Sequence, residues 1–159
     1  MLRLSKLSDY GTVIMASMAL EPGRFYSAAE VSGAVGVSLP TVSKVLKILA
    51  REGLLVSQRG ARGGYSLARG AEEISIAQII AAVEGPIGLT ECSAMAGRCL
   101  QEPACSVRGS WLRINLAVRR ALEGVNLAEF ARPAVLPVDV PVDMGAIHAR
   151  RHGACPPET

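Results

Sequence analysis

Between residues 27 and 67 the chain reads as a helix, a tight turn, a second helix and then a glycine-rich hairpin, and this pattern constrains the fold more than any other. Ser27 and Glu30 have the capping-box spacing, in which a hydroxyl and a carboxylate three residues apart satisfy each other's unpaired amides. The helix they open directs Ala28, Val31 and Val35 inward and breaks at Gly36. Ser38 is placed to cap the next helix, which tolerates Pro40 in its first turn and ends at Gly53. Along it Val42, Val45, Leu46 and Leu49 repeat at i, i+3, i+4 and i+7, a stripe that packs, while Thr41, Lys44, Lys47 and Arg51 lie away from it. With Ser38 and Ser43 these residues give a face that is short and polar first and cationic later. A recognition helix needs that order, because its first turns meet base edges and its later residues meet phosphates. A charged face that only contacts solvent has the same composition, so the helix alone does not decide.

The next segment favours the DNA reading. Residues 54–59 and 65–67 read as two strands, and the loop between them, 60–64, carries three glycines, with Arg62 at the tip and Arg59 at its base. Such a loop is thin enough for its backbone to approach phosphates while a guanidinium enters a minor groove. The expected fold class is therefore mostly α with a small β-wing: a winged helix-turn-helix domain followed by a long dimerisation helix. Ser5 caps a first helix over 6–20 with Leu7, Tyr10, Ile14 and Met18 near one face. Ser75 and Gln78 form another capping box, opening a helix whose stripe is Ile76, Ile79, Ile80 and Val83 and which stops at Gly85 and Pro86. From 106 to 123 the pattern is again helical, and Val107, Trp111, Ile114, Val118, Ala121 and Val125 alternate steps of four and three. That heptad-like seam suits pairing with a second copy, and a homodimer suits palindromic DNA. Asn126 and Glu129 cap a short last helix ending near Ala131. The expected organisation is a DNA-binding domain over 1–85, a cysteine loop over 86–105, a dimerisation helix and short terminal helix over 106–132, and a proline-rich mobile tail over 133–159.

Charge agrees with this division. Residues 1–70 hold nine Lys or Arg against four Asp or Glu, a balance of +5, whereas residues 71–159 hold eight against ten, a balance of −2. The basic half is an electrostatic footprint for a polyanion, although a solvated basic face looks the same. With 159 residues, half of them apolar, the chain is long enough for one compact domain and an appendage. The apolar run over 13–20 is far below the roughly 20 residues that span a bilayer, so no membrane partner is expected. The first residues lack the apolar core of an export signal, and four cysteines without one suggest a reducing cytoplasm.

Cys92, Cys99 and Cys105 lie within fourteen residues, separated by gaps of six and five. Structural zinc sites draw thiolates from tighter C-x2-4-C knuckles, and an iron-sulfur cluster suits soft ligands on an open loop better. Fully cysteine-ligated clusters take four ligands, so one must come from elsewhere. The plainer reading is a set of unrelated small residues, or a thiol pair that oxidises. Asp9, in the first turn of the first helix, has a plain role in offsetting the helix dipole. His148, His152 and Cys155 could recruit a metal, but on a tail without apolar periodicity that is a weak signal.

Residues 1 to about 132 resemble the IscR/NsrR (Rrf-type) family of dimeric winged-helix regulators that carry an iron-sulfur cluster. The resemblance rests on residues 4–10 (Leu-Ser-Lys-Leu-Ser-Asp-Tyr), on the run from Val37 to Val42, on that from Arg59 to Leu67, and on the cysteine trio before the long helix. Within the family the chain looks most like regulators of the sulfur-mobilisation (SUF) cluster-assembly operon. The resemblance implies that Cys92, Cys99 and Cys105 are ligands of a 2Fe-2S or 4Fe-4S cluster. The first gap is six residues where several members have five. One branch adds a histidine three positions after the last cysteine. Here that position is Arg108, which removes this ligand. Another branch uses an aspartate of the first helix, supplied by the partner subunit, and Asp9 falls at the matching place. Arg59 matches a wing arginine used on DNA, and Ser43 stands where some members have an acidic side chain that tunes specificity.

The expected function is a cluster-sensing transcriptional regulator, a repressor of iron-sulfur assembly genes, whose partners are an operator duplex and a second copy of itself. Two other classes compete with it. One is a cluster-free thiol switch or nitric-oxide sensor on the same DNA-binding fold. The other is a cysteine-based enzyme, disfavoured because there is no C-x-x-C, no base paired with a cysteine and no nucleotide loop.

Overall fold

The apolar stripes close around α1 (Lys6–Ala19) in the computed structural model, which describes residues 3–60 and 63–132. Ser5 starts that helix by accepting the Ser8 amide. Its buried face is Ser8, Gly11, Ile14, Met15 and Met18, with Thr12 beside it. Ile14 and Met18 are where the periodicity puts them, but Leu7 and Tyr10 are only half-buried. The face is turned because Gly11 lets α4 (Ile76–Glu84) approach: a Cβ there would lie 3.3 Å from Val83 Cγ2.

The helix pair follows as expected. In α2 (Ala28–Val35) the reciprocal box between Ser27 and Glu30 is present, and Gly36 ends the helix in the left-handed conformation. The chain then bends by 116° into α3 (Leu39–Arg51), within the range for helix-turn-helix pairs. Val42, Val45, Leu46 and Leu49 are fully buried against α1 and α4. Ser38 occupies the cap position without making the side-chain cap bond. Its hydroxyl instead pairs with Thr41 Oγ1 at 2.9 Å.

The wing is two antiparallel strands, β1 (Leu55–Gln58) and β2 (Gly64–Leu67), with Leu55 opposite Leu67 and Gln58 opposite Gly64. A 3-10 turn over Ala71–Glu73 leads into α4 (Ile76–Glu84), which opens with the Ser75–Gln78 box. The cysteine loop expected over 86–105 contains α5 (Glu91–Ala94) and a 3-10 turn over Glu102–Ala104, and α6 (Arg108–Glu123) follows where the helical pattern placed it. The short α7 (Leu127–Ala131) returns to the core: Leu127 is buried completely, its amide donates to Ile74 O, and α7 packs on α1. Among the described residues no single helix is long and apolar enough to cross a membrane. Arg62, His148, His152 and Cys155 lie outside the described residues.

Glu84 ties the end of α4 to the start of α1. Its carboxylate accepts the Ser8 hydroxyl and, at 3.0 Å, the Ser5 amide. The Ser8 bond first, and the Ser5 bonds after it, hold the Glu84 carboxyl below its ordinary value. A depressed carboxyl stabilises the fold above its unfolded pKa of about 4.3, and that contribution is lost as pH falls through the folded value. Glu84→Gln is expected to lower stability at neutral pH by about 0.5–1 kcal/mol, a small value because the carboxylate is exposed and screened. Urea unfolding should show the gap closing below about pH 4, and a gap that is independent of pH would argue against this linkage.

Candidate functional site

Two groups of candidate residues stand on the fold. The first is the outer face of α3 with the wing. Lys44, Lys47 and Arg51 are exposed along one side of α3, and Thr41 and Ser43 are half-buried at its start. Arg51 shares an exposed ion pair with Glu52 at 3.1 Å, a contact weak enough to exchange for a phosphate. Arg59 is exposed at the end of the wing's first strand. Leu39, at the first position of α3, is 45% exposed, which the helical pattern did not mark. An apolar side chain at that end of a recognition helix can contact a thymine methyl.

The wing is fixed by a pair of hydrogen bonds that periodicity could not reveal. Tyr26 and Tyr65 exchange both backbone bonds at 2.8 Å, an isolated β-bridge that ties the segment before α2 to β2. Gly64 allows this approach, since its φ is +149° and a Cβ would lie 2.3 Å from Tyr26 O. Arg24 sits over the Tyr26 ring, 4.6 Å from its centroid, while pairing with Glu21 and Glu30. Helix and wing are thus held as one surface.

The second group is the cysteine loop. Cys92 is buried inside α5, and its thiol lies 3.3 Å from Thr90 Oγ1. Cys99 and Cys105 are half-buried further along, and all three are free of disulfides. Their chemistry, three unbridged soft donors on one loop, fits an iron-sulfur cluster. Their positions do not gather: among the described residues no three His, Cys, Asp or Glu side chains come close enough to hold a metal ion. Asp9 is exposed in the first turn of α1 and joins no such group within one chain. Cys105 lies two residues before Val107, the cap of α6, and its carbonyl accepts the Arg108 amide at 3.3 Å. Arg108 takes no part as a donor atom for metal. It pairs with Glu102 at 2.6 Å.

Asn115 organises this loop. It is the one buried residue of α6, and its side chain makes three bonds to loop backbone. Oδ1 accepts the Leu89 amide at 3.1 Å, and Nδ2 donates to Ile87 O at 3.2 Å and Ser93 O at 3.3 Å. A polar residue beside an apolar seam was the only signal in the sequence, and it reads equally as a solvent-facing position. The seam itself is open: Val107, Trp111, Ile114 and Val125 are exposed, as are Leu112 and Leu116 next to it, with Val118 half-buried.

Residues 4–133 match the family described as "Rrf2: Iron-dependent Transcriptional regulator". The chain belongs to the Rrf2 family. It is 29% identical over 136 residues to Protein rrf2 of Nitratidesulfovibrio vulgaris, covering 85% of this chain and 91% of that protein. Its fold is similar to CymR (YrzC), the global cysteine regulator of B. subtilis, with TM-score 0.66 and 30% identity over 82% of this chain and 97% of that one. It is also similar to IscR of T. potens, with TM-score 0.63 and 25% identity over 81% of this chain and 85% of that one. The protein is an Rrf2-family DNA-binding transcriptional regulator with a winged-helix fold.

Two outcomes follow from this geometry. Gly64→Ala should detach the wing from Tyr26, lowering stability by about 1–3 kcal/mol and weakening binding to duplex DNA at low salt. Unchanged thermal unfolding and DNA anisotropy would show that the bridge is dispensable. Asn115→Ala should leave the helical core intact yet speed hydrogen exchange of the Leu89 amide by about tenfold or more, the loss of a buried bond. Unaltered exchange would remove Asn115 as the loop's anchor.

Proposed function

We propose that the chain is a homodimeric, cytoplasmic repressor that senses an iron-sulfur cluster and controls cluster-assembly genes of the sulfur-mobilisation type. The observation that carries this reading is that three unbridged thiols lie on the single segment joining the DNA-binding helices to the exposed seam of α6. Cys92, Cys99 and Cys105 would hold a 2Fe-2S or 4Fe-4S cluster, with Asp9 of a second copy as an oxygen ligand. A bound cluster supplies an iron centre whose oxidation, loss or reaction with nitric oxide is the signal. A carboxylate is a poorer partner for cluster iron than a thiolate, which makes such a site labile and therefore responsive.

The residues of the chain carry that signal to DNA by their connectivity. The loop is bonded to α6 through Asn115 and is continuous with α4, which packs on both α1 and α3. Trp111, Ile114 and the neighbouring apolar residues form the face that a second copy covers, which would set the spacing of the two α3 helices. A preference of about 1–3 kcal/mol for one spacing changes operator affinity by roughly 5- to 150-fold. Ser38, Thr41 and Ser43 then face base edges. Lys44, Lys47, Arg51, Arg59 and Arg62 face phosphates and the minor groove. No catalytic role is assigned.

A second reading has its own support. Among the described residues the three thiols form no metal-holding group, and a solved relative is described as a global cysteine regulator, so a cluster-free thiol switch on the same DNA-binding surface competes with the cluster.

The test is the visible spectrum with iron and sulfide analysis of protein purified without oxygen, beside Cys99→Ala and Asp9→Ala. Broad visible absorption with stoichiometric iron and sulfide is expected, lost in the first variant and shorter-lived in the second. A colourless, iron-free protein whose operator affinity changes with thiol oxidation would establish the thiol switch instead.

A further inference from the structure

The cysteine loop is built in two halves that are held by different means. Its first half, around Cys92, is bonded to α6 through the three Asn115 contacts and is closed by Thr90 and Ser93, whose side chains and backbones bond each other. The second half carries Cys99 and Cys105; local turn bonds shape it, among them the Glu102 amide to Cys99 O at 3.1 Å, and one carboxylate ties its two ends together. Glu102 Oε2 accepts the Gly97 amide at 2.7 Å, and Glu102 Oε1 meets Arg108 Nη2 at 2.6 Å. Gly97 precedes Cys99 and Arg108 follows Cys105, so the two oxygens of Glu102 fasten the chain on both sides of this cysteine pair.

We propose that Glu102 and Arg108 form a latch that holds the Cys99–Cys105 segment in the arrangement seen here, so that their pairing opposes assembly of the three thiols. The proposal deepens the cluster reading and rests on it for the latch's purpose. Three observations carry it. The thiols do not gather while the latch is closed. Cys92 belongs to the half anchored on α6, so gathering requires movement of the half that Glu102 holds. Closure also leaves the buried Nε of Arg108 without an acceptor, a cost that an open, hydrated loop does not carry. The Glu102 side chain is 12% exposed and that of Arg108 is 41% exposed. The pair is thus shielded enough to persist and close enough to solvent to open. Metal capture would then require local opening, and the stability of one ion pair would set the metal supply at which the regulator responds.

The reduced full-length protein is tested without oxygen as wild type, Glu102→Ala and Arg108→Gln. Two readouts are taken: alkylation rates of each cysteine by iodoacetamide, followed by mass spectrometry, and titration with Co2+, followed by thiolate-to-metal charge-transfer absorption. Both variants are expected to alkylate Cys99 and Cys105 about tenfold faster with Cys92 unchanged, and to bind Co2+ about 5- to 10-fold more tightly. A merely structural pair predicts the reverse in metal binding, and weaker Co2+ binding in both variants overturns the latch. So does unchanged alkylation. If Glu102→Ala weakens Co2+ binding while Arg108→Gln strengthens it, local charge or direct ligation by Glu102 governs the metal and the latch is likewise overturned. If no form binds Co2+ but both variants still alkylate faster at Cys99 and Cys105, the latch stands as a gate on the thiols and the cluster reading fails.

Discussion

Burial of one face of α1 is the interaction on which the rest depends. Ile14, Met15 and Met18 are withdrawn from water completely or nearly so, and α2, α3, α4, α7 and the wing all pack on this helix. Removing that much apolar surface from water is the largest favourable contribution available to a domain of this size. It also orients the outer face of α3, because the same helix that buries Val42, Val45, Leu46 and Leu49 has no remaining freedom to rotate its polar side away from solvent. The exposed polar face of α3 is in this sense the complement of the core.

The cysteine loop obeys a different constraint. It buries little apolar surface, so its shape comes from satisfying backbone polar groups that would otherwise be lost from water. Asn115 does this for the first half and Glu102 for the second. Such closures are worth little individually and can be exchanged for other partners, whereas the core around Ile14 cannot. The chain therefore joins a body held by apolar packing to a loop held by hydrogen bonds and one ion pair.

That division matches what a regulator requires. A ligand shifts a conformational equilibrium only by its differential affinity for the two states, and a segment with modest closing energy is one that a modest signal can move. The loop lies between α4, which packs against α3, and α6, whose apolar seam is uncovered in the single chain. The loop is thus the segment that joins the winged-helix body to α6.

Much of the fold is legible in the amino-acid order because it rests on local chemistry. The capping boxes at Ser27, Ser75 and Asn126, the glycine after α2 and the four-residue apolar stripe of α3 each depend on residues a few positions apart, and each formed where the pattern placed it. The clustering of Cys92, Cys99 and Cys105 on one loop is likewise a property of the sequence. What periodicity could not supply is which distant groups meet. The Tyr26–Tyr65 bridge, the return of Leu127 to α1 and the bonds from Asn115 to the loop all join residues remote in the chain, and Ser8 and Glu84 are 76 positions apart. Helices, wing and cysteine-bearing loop were thus written into the order of residues, since short-range sterics and hydrogen bonding are enough to specify them. The anchoring of Cys92 came instead from folding in three dimensions, since the bonds from Asn115 reach residues 22 to 28 positions away and need α6 packed beside the loop, whereas Glu102 meets Gly97 and Arg108 only five and six positions away.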